Sequence, residues 1–243
     1  LESLTMTAHP KIDPVTGEWW SYGQFCRKQY ENEMSLQVID RHGKVVRQEE
    51  LVMPYPGVCH DFAMTREHVI FTVMPLTVDL DRVRAGGDFY AWDPEKQPMY
   101  GIMPRSGTTA DIRWYAVPGA MIAHFMNAWS EGDKVMVDGF AAPGNSFAFF
   151  KDVDGNPTPN AVAESCLTRL TFDLSRNSDE AGFEPFAGAI GEMPKMDDRS
   201  GLQPYRYGWH KTYDGIAQVD WQTRQASVHQ LLRAPEPGMC QEG

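Results

Sequence analysis

The chain is short of cysteine and of positive charge, and it holds no long apolar run; each shortage removes a class of function. Its four cysteines, Cys26, Cys59, Cys166 and Cys240, are scattered and never form a C-x-x-C pair, which excludes a zinc ribbon or a thioredoxin-like motif. Their spacing leaves disulfides open, although free thiols in a reducing compartment are the commoner outcome. No N-x-[ST] sequon occurs, because proline stands inside Asn156-Pro157-Thr158. These features favour a cytoplasmic location. Lysine and arginine number 22 against 33 acidic residues, a net charge of −11. Bulk charge of that sign excludes binding to nucleic acid or anionic lipid, both of which need clustered cations. No segment approaches the ~18 apolar residues of a transmembrane helix, and no basic-then-apolar signal pattern opens the chain. Leu1 is not an initiator methionine, which leaves open a longer N-terminus with a targeting signal.

Several catalytic signatures are missing too. There is no G-x-S-x-G elbow, no P-loop and no H-E-x-x-H. The stretch Asp152-Val153-Asp154-Gly155-Asn156 starts like a calcium loop. It fails as one because Pro157 takes the glycine position and Ala163 the position of the closing glutamate.

Short strand-like runs dominate the remainder, at 18–22, 35–39, 45–51, 68–74, 112–117, 134–138, 166–174 and 216–220. Gly, Pro, Asp and Asn punctuate them, with His42-Gly43 as a hairpin turn and Asp214-Gly215 before the last run. Only 118–129 and 78–85 read as helical. Turn-rich insertions at 54–57, 85–97, 103–109, 141–146 and 175–183 are expected to cap one face. No linker divides the chain, so residues 1–243 read as a single all-β domain.

Three histidines sit in matching surroundings. His9, His60 and His124 each precede a short polar or turn-rich stretch and then an apolar run, at Trp19-Trp20, Val69-Ile70-Phe71 and Val135-Met136-Val137. The intervals of 51 and 64 residues are those of structural units, which points to a β-propeller with equivalent histidines facing one axis. Blades of about 50 residues give under five in 243, so the chain is expected to be an internal part of a longer propeller. Imidazole suits iron, zinc, copper and nickel, and several neutral imidazoles leave an ion its full charge and open positions. Such ligands need a partner for the other ring nitrogen.

The flanking residues resemble the carotenoid cleavage oxygenases, especially the bacterial lignostilbene dioxygenase branch. Thr7-Ala8-His9-Pro10-Lys11-Ile12-Asp13-Pro14 is similar to their first histidine motif. Cys59-His60-Asp61-Phe62 is similar to the second, and His124-Phe125-Met126-Asn127-Ala128-Trp129 to the third. Glu192-Met193-Pro194-Lys195 resembles the E-x-P-R element, with lysine in place of arginine. The likeness extends to Asp111-Ile112-Arg113-Trp114 and Tyr205-Arg206-Tyr207.

The resemblance implies a seven-bladed propeller, of which the chain covers roughly the middle blades. It also implies Fe(II) held by His9, His60 and His124, and Glu192 as the partner of one of them, His124 first. The implied reaction is cleavage of a carbon–carbon double bond by O2 into two carbonyls, with a small apolar or phenolic alkene as substrate. A stilbene-like compound is favoured over an apocarotenoid, and Phe147 and Phe149, with Phe150, are candidate walls of its tunnel.

The family's fourth histidine has no counterpart before Gly243, and neither His210 nor His229 sits in its terminal motif. The family's N-terminal element, a source of a further glutamate and of the residues that grip a phenol, has no counterpart either. Ser130 stands where a glutamate often follows in the family. Cleavage by this chain alone is therefore not expected. Two other classes stay in play: a non-catalytic binding propeller that has lost the iron site, and a zinc hydrolase built on three histidines. Asp61 is expected to cap a turn and Asn127 to bond backbone within its own turn.

Overall fold

Strand after strand is apolar on the faces that meet a neighbouring sheet, and the chain resolves this by stacking four antiparallel sheets in sequence order. The computed structural model describes residues 3–26 and 31–231. The first sheet is a meander of β1 (Lys11–Ile12), β2 (Trp19–Gln24), β3 (Glu33–Ile39) and β4 (Val45–Val52). Asp40 and Lys44 close its outer hairpin around Gly43, whose φ of +82° suits only glycine without strain.

The second sheet is built on one long strand. β5 (Gly57–Val58) and β6 (Ala63–Met64) both pair with β7 (His68–Val78), one at each end. The five-residue helix α1 (Leu80–Arg84) follows β7, capped by Asp79, whose side chain accepts the Arg82 N–H. β8 (Tyr90–Trp92) returns to the upper end of β7, and β9 (Met99–Pro104) and β10 (Arg113–Ala116) complete the sheet.

The third sheet runs β11 (Met121–Glu131), β12 (Lys134–Ala142), β13 (Cys166–Asp173) and β14 (Ala181–Ile190). The fourth runs β15 (Glu192–Met196), β16 (Tyr207–Lys211), β17 (Gly215–Asp220) and β18 (Gln225–Gln230). Inner strands neighbour one another, β11 packing against both β6 and β15. These are four successive propeller blades. All eight expected strand runs are strands, and 78–85 contains α1.

The other expected helix is overturned. Residues 118–129 lie mostly in β11, the innermost strand of its blade. Its run Met-Ile-Ala-His-Phe-Met-Asn-Ala-Trp is buried on both faces between adjoining blades. A strand covered on both sides loses its alternation and reads like a helix.

Core residues fill the gaps between blades. Tyr22, Met34, Leu36, Phe62 and Phe71 join the first to the second. Tyr100, Tyr115, Val137, Leu170 and Phe172 join the second to the third, and Phe140, Phe186, Val219 and Trp221 the third to the fourth. Each large side chain buried this way contributes about 1.5–3 kcal/mol. Buried polar ties reinforce the packing. Asp138, fully buried, receives two 2.9 Å hydrogen bonds from Arg169 and one of 2.7 Å from the Tyr205 hydroxyl. Trp129 and Trp221 sandwich that guanidinium at 4.5 and 3.9 Å.

Cys59 and Cys166 are free thiols, while Cys240 lies outside the described residues. No helix among the described residues is long and apolar enough to cross a membrane.

Candidate metal centre

Each of the three histidines stands at the inner edge of its own blade. His9 precedes β1, His60 lies between β5 and β6, and His124 lies in β11. Their Nε2 atoms meet, at 3.2 Å between His9 and His60 and 3.1 Å between His60 and His124. Among the described residues no carboxylate or thiol joins this cluster.

Local sequence explains how each ring reaches the point. The His9 N–H bonds the Thr7 hydroxyl just before the chain enters β1. The His60 loop is held from blade one, where the Tyr22 hydroxyl donates to the Cys59 and His60 carbonyls. Gln24 grips the same loop, accepting the Cys59 N–H at 2.9 Å and donating to the Gly57 carbonyl at 2.7 Å. His124 sits in a β-bulge, where the pairing of β11 with β12 shifts between Ile122 and Phe125. A bulge re-aims a side chain out of the regular ladder. Gly139 opposite makes it possible, because a Cβ there would stand 2.6 Å from Ile122 and 3.0 Å from the His124 carbonyl.

Glu192 opens β15 of the fourth blade and accepts a hydrogen bond from His124 Nδ1 at 2.9 Å. Its carboxylate also accepts the Met193 N–H, with Met193 turned into the left-handed region at φ +56°. A proton kept on Nδ1 leaves the Nε2 lone pair free.

Burial first, then the repulsion a proton would feel from His124 and His9, brings His60 down to about 4. Burial also lowers His9, against the pull of Asp61. In His124 burial acts the same way, but the hydrogen bond and charge of Glu192 outweigh it and raise the group. Two of the rings are thus neutral at pH 7, with lone pairs directed at a shared point.

This donor set fits a borderline divalent ion. Nitrogens 3.1–3.2 Å apart share an ion at metal–nitrogen lengths of about 2.1 Å when they subtend roughly 95–100°. Three imidazole donors leave further positions on the ion open.

Two cavities flank the histidines. One of about 430 Å³ is lined by His60, Tyr22, Phe25, Tyr90, Phe147, Phe149 and Phe150 among others. Phe147 lies edge-on to the His60 ring at 5.3 Å, while Phe149 is largely exposed. The other, about 510 Å³, lies among Lys11, Met64, Met126, Asn127, Lys195 and Arg199.

Other expected roles fall differently. His210 is buried in β16 against Phe140, and His229 is exposed in β18; neither joins the cluster. Ser130 bonds Thr65 and His68, away from the histidine cluster. Asn127 does not act within its own turn; it lies in β11 and clamps the distant 200–203 backbone. Asp61 does accept the Phe62 N–H, but it also bonds Lys11 and the Phe125 N–H. Tyr90 and Tyr22 escaped sequence reading. Tyr90 falls inside the insertion at 85–97, and the aromatic pair Phe89-Tyr90 was its only signal.

Residues 1–242 match the family described as retinal pigment epithelial membrane protein. The chain is 37% identical over 207 residues to isoeugenol monooxygenase of Pseudomonas putida, covering 85% of this chain and 43% of the relative. It is 33% identical over 237 residues to lignostilbene-alpha,beta-dioxygenase isozyme III of Sphingomonas paucimobilis, covering 96% and 48%. The crystal structure of Pseudomonas brassicacearum lignostilbene dioxygenase superposes with a TM-score of 0.88 at 29% identity, covering 94% of this chain and 52% of that one. The chain thus spans about half the length of the curated relatives it matches.

Proposed function

Since the chain belongs to the retinal pigment epithelial membrane protein family, the carotenoid cleavage oxygenases whose motifs it carries, we propose that it forms part of a non-haem Fe(II) dioxygenase. The enzyme splits a carbon–carbon double bond with O2 and leaves one oxygen atom on each of two carbonyl products. One observation carries this reading: three imidazole nitrogens from three blades meet at one point beside an aromatic-walled cavity.

His9, His60 and His124 would hold the ion, and the rest of a seven-bladed ring would supply a fourth histidine. Ferrous iron, when bound, supplies a site for dioxygen and the electrons that activate it. The chain's own residues do the rest. Glu192 keeps the proton on His124 Nδ1 and so fixes that ring's orientation. Phe147, packed on His60, and Phe149 and Phe150 beside it form an apolar wall that a flat aryl group can stack against. A volume of about 430 Å³ falls in the range of small-molecule sites. That lining suits an aryl alkene of the stilbene or phenylpropenoid type better than a long polyene. The 1–243 segment acts as one continuous part of the propeller domain.

The test is full-length protein loaded with Fe(II) under 18O2, offered a hydroxystilbene, isoeugenol and an apocarotenal. Cleavage of an aryl alkene with label in both carbonyls is expected. No cleavage of any substrate by iron-loaded protein overturns the proposal. Label in only one product replaces the dioxygenase with a monooxygenase, the activity named for the Pseudomonas putida relative.

A further inference from the structure

The three histidines come from three different sheets, yet His60 Nε2 stands 3.2 Å from that of His9 and 3.1 Å from that of His124. Packing of blade on blade is too coarse to set such a distance, and one buried side chain bridges all three supports. Asp61, 2% exposed, follows His60 directly. Its Oδ1 lies 2.7 Å from Lys11 Nζ, two residues after His9. Its Oδ2 accepts the N–H of Phe125, the residue after His124, at 3.0 Å. That N–H is available because the bulge in β11 breaks the ladder to β12 at this point. The carboxylate also accepts the Phe62 N–H at 2.8 Å, and the Thr72 hydroxyl anchors the Asp61 carbonyl at 2.9 Å. Lys11 in turn lies 5.7 Å over the Phe62 ring.

We propose that Asp61 is a positioning residue that sets the mutual distances of the three imidazoles. It is the only described side chain with a direct bond to all three histidine-bearing segments. It lines neither cavity, so contact with substrate does not explain it. A turn cap would need the Phe62 bond alone. Removing the carboxylate leaves a buried N–H unpaired beside His124 and frees the ammonium beside His9. The natural relief is for the two loops and the bulge to separate, carrying the rings apart.

This inference rests on the metal-centre reading, and Co(II) tests the two separately through its ligand-field spectrum and its affinity. Asp61→Asn in the full-length protein keeps the side chain's size but turns one acceptor into a donor. The expected result is a shifted Co(II) spectrum and an affinity about tenfold weaker or more, at a temperature where circular dichroism shows the fold intact. Lys11→Met removes only the His9 arm and is expected to weaken affinity a few-fold. Asp138→Asn, an equally buried carboxylate joined to none of the three segments, is expected to lower Tm and leave the spectrum unchanged.

A folded Asp61→Asn protein with wild-type spectrum and affinity overturns the inference, as does an equal spectral shift in Asp138→Asn. If Asp61→Asn does not fold, Lys11→Met decides, and wild-type behaviour there overturns it. Wild-type protein that takes up no Co(II) fails the metal reading itself, and the inference falls with it.

Discussion

Replacing Glu192 by glutamine separates two effects of one hydrogen bond, and they have opposite signs. His124 Nδ1 and the Glu192 carboxylate lie 2.9 Å apart with side chains only 19% and 17% exposed. A hydrogen bond to a charged group contributes about 1.5–3 kcal/mol, a neutral one about 0.5–1.5. The substitution therefore removes roughly 1–1.5 kcal/mol of support for a His124 ring that donates from Nδ1 and ligates from Nε2. At pH 8 this predicts metal affinity about five- to tenfold weaker, at the lower edge of the 10–100-fold typical of such partners.

At pH 6 the proton competes. Glu192 raises His124, against burial, so part of the wild-type protein carries a proton that a metal must displace. The glutamine variant keeps the burial but loses the charge, and its His124 titrates lower. Its affinity accordingly falls less steeply below pH 7, and the gap to wild type narrows. Competition titrations with Co(II) and a chelator of known affinity at pH 6, 7 and 8 measure both. Equal affinities at pH 8, or parallel pH slopes, would refute the reasoning.

Acid should destabilise the metal-free protein through His60. Its folded value of about 4 lies below the unfolded 6.5, so its contribution is present above 6.5 and lost as pH falls toward 4. His124 opposes it, stabilising below 6.5 and losing that contribution as pH rises through its raised value. Urea midpoints from pH 4 to 8 are expected to fall on the acid side in wild type and to do so less in His60→Ala. Asp138→Ala strands the part-buried Arg169 guanidinium between its two tryptophans, at about 2–3 kcal/mol. Calorimetry should show Tm lower by several degrees, and an unchanged Tm would contradict the assigned burial. Phe147→Ala opens the cavity wall beside His60. KM for an aryl alkene is expected to rise several-fold with metal content unchanged, and an unchanged KM removes Phe147 from the binding surface.

Much of the fold was legible because most strands either alternate or end in strong turns. Strand β13, with Leu170 and Phe172 on one face, and the His42-Gly43 hairpin are examples. Strand β11 was not, since burial on both faces erases the period that tells strand from helix. β18, exposed along its length, and the short, proline-bearing β15 carry too little apolar signal to read. His9, His60, His124 and Glu192 were legible from motif order, and the structure brings them within bonding distance of one another. The wider role of Asp61 was hidden, because its partners Lys11 and Phe125 lie 50 and 64 residues away and one of them is a backbone N–H. Tyr22 and Gln24 were hidden for the same reason, since they act on a loop more than 30 residues away.

Metal stoichiometry at the three histidines is the most direct test. Full-length protein prepared with Fe(II) or Co(II) should hold one ion per chain, placed by anomalous diffraction between the Nε2 atoms of His9, His60 and His124, and His60→Ala should abolish it. An ion bound elsewhere, or one retained by His60→Ala with unchanged affinity, would contradict the account.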